Sequence, residues 1–325
     1  MIVIRDSERR VLTEPSVVAI GVFDGVHLGH QKVIGKARRI ADEKGARAVV
    51  VTFDPHPARL LAPLRAPHSI GTIGQRVELL ERLGVDLVRI LTFDRELASE
   101  SPVDFIDRVL VNELQVVHVV VGRDFHFGRD RAGDVALLEH EGASRGFEVL
   151  AAPIYGAATR WSSTVVRQAL SGGDLELANA TLGRPFTLRG VVEHGDARGA
   201  DLGFPTANLG LAPFQQVPAI GIYAGSVRLP DDTWWPAAIS VGTRPQFYEA
   251  GEVLVEAHIP GFSGDLYDTE LDVAFLRRLR GEMTFDNVPA LMAQMGHDVG
   301  QTLDIFKKFS AESYPLLGWS LGQRR

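Results

Sequence analysis

The first half of the chain alternates short apolar runs with amphipathic stretches. Five runs are apolar at nearly every position and rich in β-branched residues: residues 17–20, 48–52, 87–91, 116–121 and 147–150. Runs of this kind are typical of strands that are buried on both faces. They predict the strands of a parallel sheet.

The stretches between these runs carry apolar residues at helical spacing. The first begins near Leu28, repeats its apolar residues three and four apart, and stops at Gly45. Similar patterns precede Gly84 and follow Pro102. Alternating strands and helices predict an α/β fold with a doubly wound parallel sheet.

The pattern changes after Pro153. Residues 163–170 and 174–182 predict two short helices, and a Gly-Arg-Pro segment at 183–185 then interrupts the chain. We therefore expect two domains, 1–183 and 184–325. In the second, candidate strands follow one another at residues 187–193, 222–229, 235–241, 254–259 and 271–275. Strands without intervening helices favour an antiparallel barrel or sandwich, followed by an amphipathic helix over residues 288–309.

Composition and charge narrow the possible partners. The 325 residues carry a formal net charge of −7, so no overall basic field attracts nucleic acid, and any phosphate site must be local. The absence of cysteine excludes disulfides and thiolate chemistry. No apolar run has the length of a signal peptide core or a membrane span, so we expect a cytoplasmic protein with no membrane partner. Nothing in the sequence indicates an oligomeric state.

A glycine- and histidine-containing segment follows the first predicted strand: Gly-Val-Phe-Asp-Gly-Val-His-Leu-Gly-His, residues 21–30. Strand ends of a parallel sheet open a crevice where the next helix offers unpaired amides and a positive dipole end to phosphate. His27 and His30 stand three apart, on one helix face, where both could donate hydrogen bonds to a leaving pyrophosphate. The alternatives are ordinary cap residues, or a metal pair, for which no third strong ligand is near. The segment predicts a phosphate site.

Two further segments follow predicted strands. Asp54 and His56 come at the end of the second strand and should face the same crevice, unless they form only a proline-stiffened loop. Asp124 follows the fourth strand and precedes Phe125 and Phe127, whose rings could form a wall for a flat ligand or belong to the core. At a third place, the predicted helix start at residues 163–167, hydroxyls, amides and a guanidinium could converge on one anion, or simply cap the helix.

The second domain contains a different glycine-rich stretch, residues 195–208, with glycines at 195, 199 and 203. Such a loop can wrap phosphates with backbone amides, or form a plain hairpin. Thr206 and Asn208 are two apart, so in extended chain they point the same way and offer neutral oxygen ligands to Mg²⁺. The stretch lacks the Gly-Lys-Ser/Thr of a Walker motif. Glu256 lies in an apolar strand. A carboxylate buried there needs a hydrogen-bonding or ionic partner or has a functional role, unless it faces outward into solvent.

These segments, in this order, resemble those of the bacterial bifunctional riboflavin kinase/FMN adenylyltransferase family. The resemblance implies a Rossmann-like nucleotidyltransferase domain that transfers AMP from ATP to FMN, giving FAD and pyrophosphate. It also implies a β-barrel riboflavin kinase domain that uses ATP and Mg²⁺. Riboflavin, FMN and FAD are the implied substrates and products.

The resemblance also implies roles for particular residues. The expected catalytic residues are His27, His30 and Arg167 for adenylyl transfer and Glu256 as general base of the kinase. The expected nucleotide-binding residues are Gly21, Phe23, Asp24, Gly25, Asp54, Arg160, Ser163, Thr164, Gly195, Gly199 and Gly203. Asp124, Phe125 and Phe127 are expected to bind flavin, and Thr206 and Asn208 the metal.

Some positions depart from the family pattern. Ala200 stands where relatives often carry arginine, Gln246 where they often carry threonine, and Pro260-Gly261 where Leu-Asp is usual. A second hypothesis is therefore an adenylyltransferase whose barrel only binds flavin. A third, a nucleic-acid-binding barrel, is disfavoured by the acidic charge and the lack of a basic stripe.

Overall fold

The computed structural model describes residues 1–8, 11–156, 160–194, 202–243 and 253–309. The chain divides into two compact units: Met1–Ser69 with Ile73–Ser163, and Ile70–Thr72 with Thr164–Arg325. No helix in the described part of the chain is both long and apolar enough to cross a membrane.

The first unit is built on a six-stranded, all-parallel sheet. Its strands are β1 (Ile2–Ile4), β2 (Ser16–Ile20), β3 (Arg47–Asp54), β4 (Leu87–Thr92), β5 (Val116–Gly122) and β6 (Glu148–Ala152). They lie in the order β1-β4-β3-β2-β5-β6. The chain therefore runs outward from β2 in one direction, through β3 and β4, and then returns to place β5 on the other side of β2. Ligands of open α/β sheets bind at such a switch point, outside the carboxyl ends of the strands.

Helices connect these strands. They are α1 (Leu28–Lys44), α2 (Ala58–Leu61), α3 (Ile73–Arg82), α4 (Arg95–Ser99), α5 (Pro102–Phe105) and α6 (Val135–Arg145), with a π-helical segment (Ile106–Glu113) continuing α5. Short 3-10 turns cover Asp6–Glu8, Pro63–Arg65 and Arg129–Arg131. α1 ends where its pattern predicted, because Gly45 adopts the left-handed conformation (φ 61°) that caps helices.

The second unit contains α7 (Ser163–Gly172) from Thr164 onward, α8 (Leu175–Leu182) and a closed barrel. The barrel strands are β7 (Phe186–Glu193), β8 (Thr206–Leu211), β9 (Gly221–Arg228), β10 (Trp234–Thr243), β11 (Val253–His258) and β12 (Glu270–Arg280). They close in the antiparallel order β10-β11-β8-β7-β12-β9. Alternate side chains fill the barrel, as at Val255 and Ala257, which are almost fully buried.

The last described helix, α9 (Val288–Lys308), packs on the outside of this barrel. Trp234, Ala274 and Leu276 form a small apolar cluster there with Ile305 and Phe306. The predicted fold class is confirmed in both parts, and the barrel, not the sandwich, is the form that the second part takes. Two strands were missed: β1, and β8, which carries Thr206 and Asn208. By packing, α7 and α8 belong to the second unit; the domain boundary after residue 183 stays a prediction.

Candidate active sites

The turn after β2 is strained. Phe23 (φ 52°) and Val26 (φ 39°) adopt the left-handed conformation that side chains other than glycine avoid, and Gly25 (φ 75°) adopts it too. The turn closes with a hydrogen bond of 3.1 Å from the Val26 amide to the Phe23 carbonyl, and both side chains are buried. Gly21 lets the Phe23 ring pack closely, because a Cβ there would lie 3.0 Å from that ring. Strain of this kind concentrates at ligand sites.

His27 and His30 lie together at the start of α1. His27 is the N-cap, and its Nδ1 accepts hydrogen bonds from the amides of Gly29 (3.1 Å) and His30 (3.4 Å). A ring nitrogen that accepts carries no proton, so neutral His27 holds its proton on Nε2 as a donor. The two imidazoles stack with centroids 3.6 Å apart. Gly29 makes room for this ring, since a Cβ there would lie 3.0 Å from it. The spacing of three did bring the two rings together.

The first unit also buries an arginine that the sequence analysis did not single out. Arg76 on α3 is 6% exposed, and its Nη1 donates to the Thr52 hydroxyl and to the Phe53 carbonyl, both at 3.1 Å. Burial lowers the pKa of Arg76, while the charges of Asp24 and Asp54 oppose that shift. Asp24 is itself 2% exposed. The sequence did carry an indication that Arg76 is buried. It stands three and four residues before Leu79 and Leu80, on the apolar face of a helix.

The ends of β3 and β5 flank the turn after β2 on the sheet. Asp54 is the last residue of β3 and faces Arg5, with 3.7 Å between carboxylate and guanidinium. The amide of Ala58 donates to Nδ1 of His56. After β5, exposed Asp124 pairs with Arg160.

Phe125 and Phe127 come shortly after Asp124 in the sequence. Their rings stack, with 5.5 Å between the centroids. Phe127 belongs to the core, 8% exposed, and Phe125 packs against it at the edge of the core. Of the two, Phe125 is therefore the ring with surface left for a ligand.

Ser163, the last residue of the first unit, contacts the turn after β2. The Ser163 hydroxyl donates to the Asp24 carbonyl at 2.9 Å. Thr164, the next residue, is exposed, and Arg167 follows one turn later, half-buried on the same helix. Ser163 thus joins the residues that the sequence analysis placed at the first site.

The barrel brings the second group of predicted residues onto one face. Glu256 on β11 lies directly opposite Asn208 on β8, and His258 lies opposite Thr206. Directly opposed residues of an antiparallel pair share a face, and residues two apart do too. Val255 and Ala257 fill the interior, so this polar set lies on the outer face. The Thr206 hydroxyl donates to Glu256 Oε1 at 3.4 Å.

A cavity of about 530 Å³ adjoins this face. Its lining includes Thr206 and Ala207 from the start of β8, Ile259 after β11, and Phe262 and Tyr267 from the following loop. Nearby, His258 Nδ1 lies 2.8 Å from the Pro205 carbonyl, which makes that nitrogen the donor and fixes the start of β8. The cavity has the volume of a small-ligand site.

The oxygen donors on the outer face suit Mg²⁺ in type, because the hydroxyl of Thr206 and the amide oxygen of Asn208 are hard, neutral ligands. Among the described residues, no three histidine or carboxylate side chains come together to hold a metal ion. A metal here would depend on phosphate and water for its remaining ligands. Gly203 adopts a left-handed φ of 82°, which favours glycine, whereas Gly195, Gly199, Ala200 and Gln246 lie outside the described residues.

Comparison with known proteins shows the family of the chain. Residues 10–165 match the family model for FAD synthetase, and residues 182–306 match the model for riboflavin kinase. A bifunctional riboflavin kinase/FMN adenylyltransferase of Pseudomonas fluorescens is 42% identical over 87% of this chain and 90% of its own length. The Bacillus subtilis protein of the same description is 35% identical over 90% of this chain and 92% of its own length.

This chain belongs to the bifunctional riboflavin kinase/FMN adenylyltransferase family. A crystal structure of a Streptococcus pneumoniae protein, described as a macrolide-efflux protein, is also similar, with a TM-score of 0.84 and 31% identity. It covers 95% of this chain and all of its own. That description does not change the assignment, because the family rests on the two matched models and on relatives aligned over nearly their whole length.

Three of the described residues near the two sites were not singled out from the sequence. They are Arg76 and Thr52 in the first unit and His258 in the second. His258 follows Glu256 by two residues in a strand, and this spacing alone places it on the same face.

Proposed function

We propose that this chain makes FAD from riboflavin in two steps. The second unit transfers the γ-phosphoryl group of ATP to the riboflavin 5′-hydroxyl, giving FMN and ADP. The first unit transfers AMP from a second ATP to the FMN phosphate, giving FAD and pyrophosphate. We assign the two activities to residues 1–183 (adenylyl transfer) and 184–325 (kinase).

In the adenylyl step an FMN phosphate oxygen attacks the α-phosphorus of ATP and pyrophosphate leaves. We assign His27 and His30 to the leaving group: Nε2 of His27 carries a proton and can donate to an oxygen on which charge develops. Arg167 adds a positive charge. The glycines of the turn, with Phe23, Asp24, Ser163 and Thr164, form the proposed nucleotide cradle.

In the same step Asp54 and Arg160 are also proposed to contact nucleotide. Asp124, with Phe125 and Phe127, is proposed to contact flavin. Phe127 contributes mainly by supporting the Phe125 ring, since Phe127 lies in the core.

In the kinase step Glu256 accepts the proton of the riboflavin hydroxyl as that oxygen attacks the γ-phosphorus and the bond to ADP breaks. Thr206 and Asn208 are the proposed ligands of Mg²⁺, which would neutralise phosphate charge when bound. The contact between Thr206 and Glu256 holds the proposed metal ligand and the proposed base next to each other. Gly195, Gly199 and Gly203 belong to the proposed phosphate loop.

The observation that carries the proposal is that two family models match consecutive segments. All proposed site residues except Arg167 lie in one or the other of these segments. ATP and flavins are the proposed small-molecule substrates. Because both reactions consume ATP, we propose that the protein acts in the cytoplasm, and we propose no nucleic-acid partner.

Product analysis tests this function. Purified protein is incubated with riboflavin, ATP and Mg²⁺, and flavins are separated and followed by fluorescence. The proposal requires FMN to appear first and FAD to follow. Formation of FAD only from added FMN would refute the kinase and leave the barrel as a flavin-binding module.

A further inference from the structure

Arg76 is buried beside the turn that follows β2 and is linked to it through the hydroxyl of Thr52. Its Nη1 donates to the Thr52 Oγ1 at 3.1 Å, and this hydroxyl donates to the Val22 carbonyl at 2.9 Å. A second bond from Nη1 to the Phe53 carbonyl, also 3.1 Å, fixes the guanidinium on β3. The guanidinium is therefore connected to the first residues of the turn.

The other end of the turn is held separately. The side-chain amide of Gln31 on α1 donates to the Val26 carbonyl at 2.9 Å. Between these anchors, Phe23 and Val26 have positive φ angles, which are unfavourable for residues other than glycine and persist only where the surroundings enforce them. His27 follows Val26 directly, so the anchors determine where its imidazole lies.

A charged side chain is a costly way to fill this position. Desolvation of a guanidinium is unfavourable, and Nε of Arg76 is buried with no hydrogen-bond partner among the described residues. The buried Asp24 provides a compensating charge. A leucine or methionine would fill the apolar face of α3 at less cost, so stability alone does not account for an arginine here.

We propose that Arg76 is a positioning residue for adenylyl transfer: through Thr52 and Val22 it holds the strained turn so that His27 and His30 meet the phosphates of ATP. This inference rests on the function proposed above. Arg76 itself is not expected to touch the substrate.

Three variants of the full chain test the inference. Thr52→Val removes the connecting hydroxyl at nearly constant volume. Arg76→Met removes the charge and both hydrogen bonds. Arg76→Lys keeps the charge and a single donor nitrogen. Arg82→Met, an exposed arginine on the same helix, is the matched control. For each, kcat and KM for FAD formation from FMN are measured, together with riboflavin phosphorylation.

We expect kcat for FAD formation to fall about tenfold in Thr52→Val and about 100-fold in Arg76→Met, because small misplacements of catalytic groups have effects of this size. Arg76→Lys should retain more activity than Arg76→Met. In all three variants, the KM for ATP in FAD formation should stay near the values of the wild type and of Arg82→Met. The rate of riboflavin phosphorylation should stay near theirs as well.

Three results would overturn the inference, and they differ in meaning. A wild-type protein that forms no FAD contradicts the proposed adenylyl transfer itself. A wild type that forms FAD, with Thr52→Val and Arg76→Met equal to it in kcat, contradicts only the role of Arg76. A loss of both activities in parallel with lowered melting temperature, in Thr52→Val as in Arg76→Met, identifies Arg76 as a stability residue and also refutes the inference.

Discussion

The two ring nitrogens of His27 have different roles, one in capping α1 and one in the proposed contact with a ligand. Nδ1 caps α1 by accepting from the amides of Gly29 and His30, which leaves Nε2 as the donor for a ligand. Asparagine is also a good N-cap but has no atom at the position of Nε2. The two roles can therefore be separated by substitution.

His27→Asn should abolish most FAD formation without unfolding the helix start. Loss of one donor to a developing charge typically lowers kcat by about 100- to 1000-fold. The melting temperature should stay near that of the wild type, whereas His27→Ala, which loses the cap as well, should be less stable by about 1 kcal/mol. Wild-type kcat in His27→Asn, measured with FMN and ATP, would show that Nε2 has no part in the reaction.

At the residue scale, the sequence showed the pairing of His27 and His30 because helical spacing is local. It could not show that Phe23 and Val26 would adopt left-handed angles, since both residues disfavour them and only tertiary contacts enforce them. The role of Arg76 was not predictable for a related reason: its partners Thr52 and Phe53 are distant in sequence and contact it only in the folded protein.

Among the elements, β8 shows where sequence patterns fail. Its residues, Thr-Ala-Asn-Leu-Gly-Leu, include Ala, Asn and Gly, which are depleted in strands, so propensity gives no strand. Pairing with β7 and β11 makes it one. The side-by-side arrangement of Thr206 and Asn208 was still predictable, because it needs only extended chain.

The packing of α9 on the barrel gives a test of stability at this scale. Ser226 lies on β9 opposite Ala274, on the face that α9 covers, and is fully buried. Within the described part of the chain its hydroxyl has no hydrogen-bond partner. Ser226→Ala should therefore raise the free energy of unfolding by about 1 kcal/mol, measured by urea denaturation.

The control for this change is Thr302→Val on α9, which removes a buried hydroxyl that does have a partner, the Asp298 carbonyl at 2.8 Å. It should leave stability unchanged or lower it. If Ser226→Ala is destabilising to the same extent as Thr302→Val, the Ser226 hydroxyl has a partner that the described contacts lack.

β5 carries a histidine whose burial makes the first unit sensitive to acid. Burial lowers the pKa of His118, and this effect exceeds the opposing effect of the nearby Glu148 carboxylate. Its Nε2 is buried and makes no hydrogen bond to the described residues, so a proton there is poorly accommodated. Below the ordinary histidine pKa of about 6.5, the unfolded chain gains a proton that the folded chain resists.

The free energy of unfolding of the first unit should therefore fall as the pH is lowered from about 7.5 to about 5.5, and His118→Leu should weaken that fall. Urea titrations at the two pH values measure it. His140→Gln, at an exposed position on α6, should keep the wild-type pH dependence. Equal slopes for His118→Leu and the wild type would contradict this origin.

For the whole molecule, the order of the motifs along the chain predicted the family, and the family models match residues 10–165 and 182–306. Sequence alone could not place the boundary by packing, because α7 and α8 read as ordinary short helices and only their contacts assign them to the second unit. Each predicted domain, 1–183 and 184–325, contains one proposed site, so inactivation of one site should leave the other active.

The most direct test of this account is the product pattern of Glu256→Gln, a variant that keeps the shape of the side chain but removes the base. With riboflavin, ATP and Mg²⁺ it should form almost no FMN or FAD, because loss of a general base typically costs about 100- to 10,000-fold. With FMN supplied in place of riboflavin, it should form FAD at the wild-type rate. Riboflavin phosphorylation at the wild-type rate, or loss of FAD formation from FMN in a folded protein, would contradict the account.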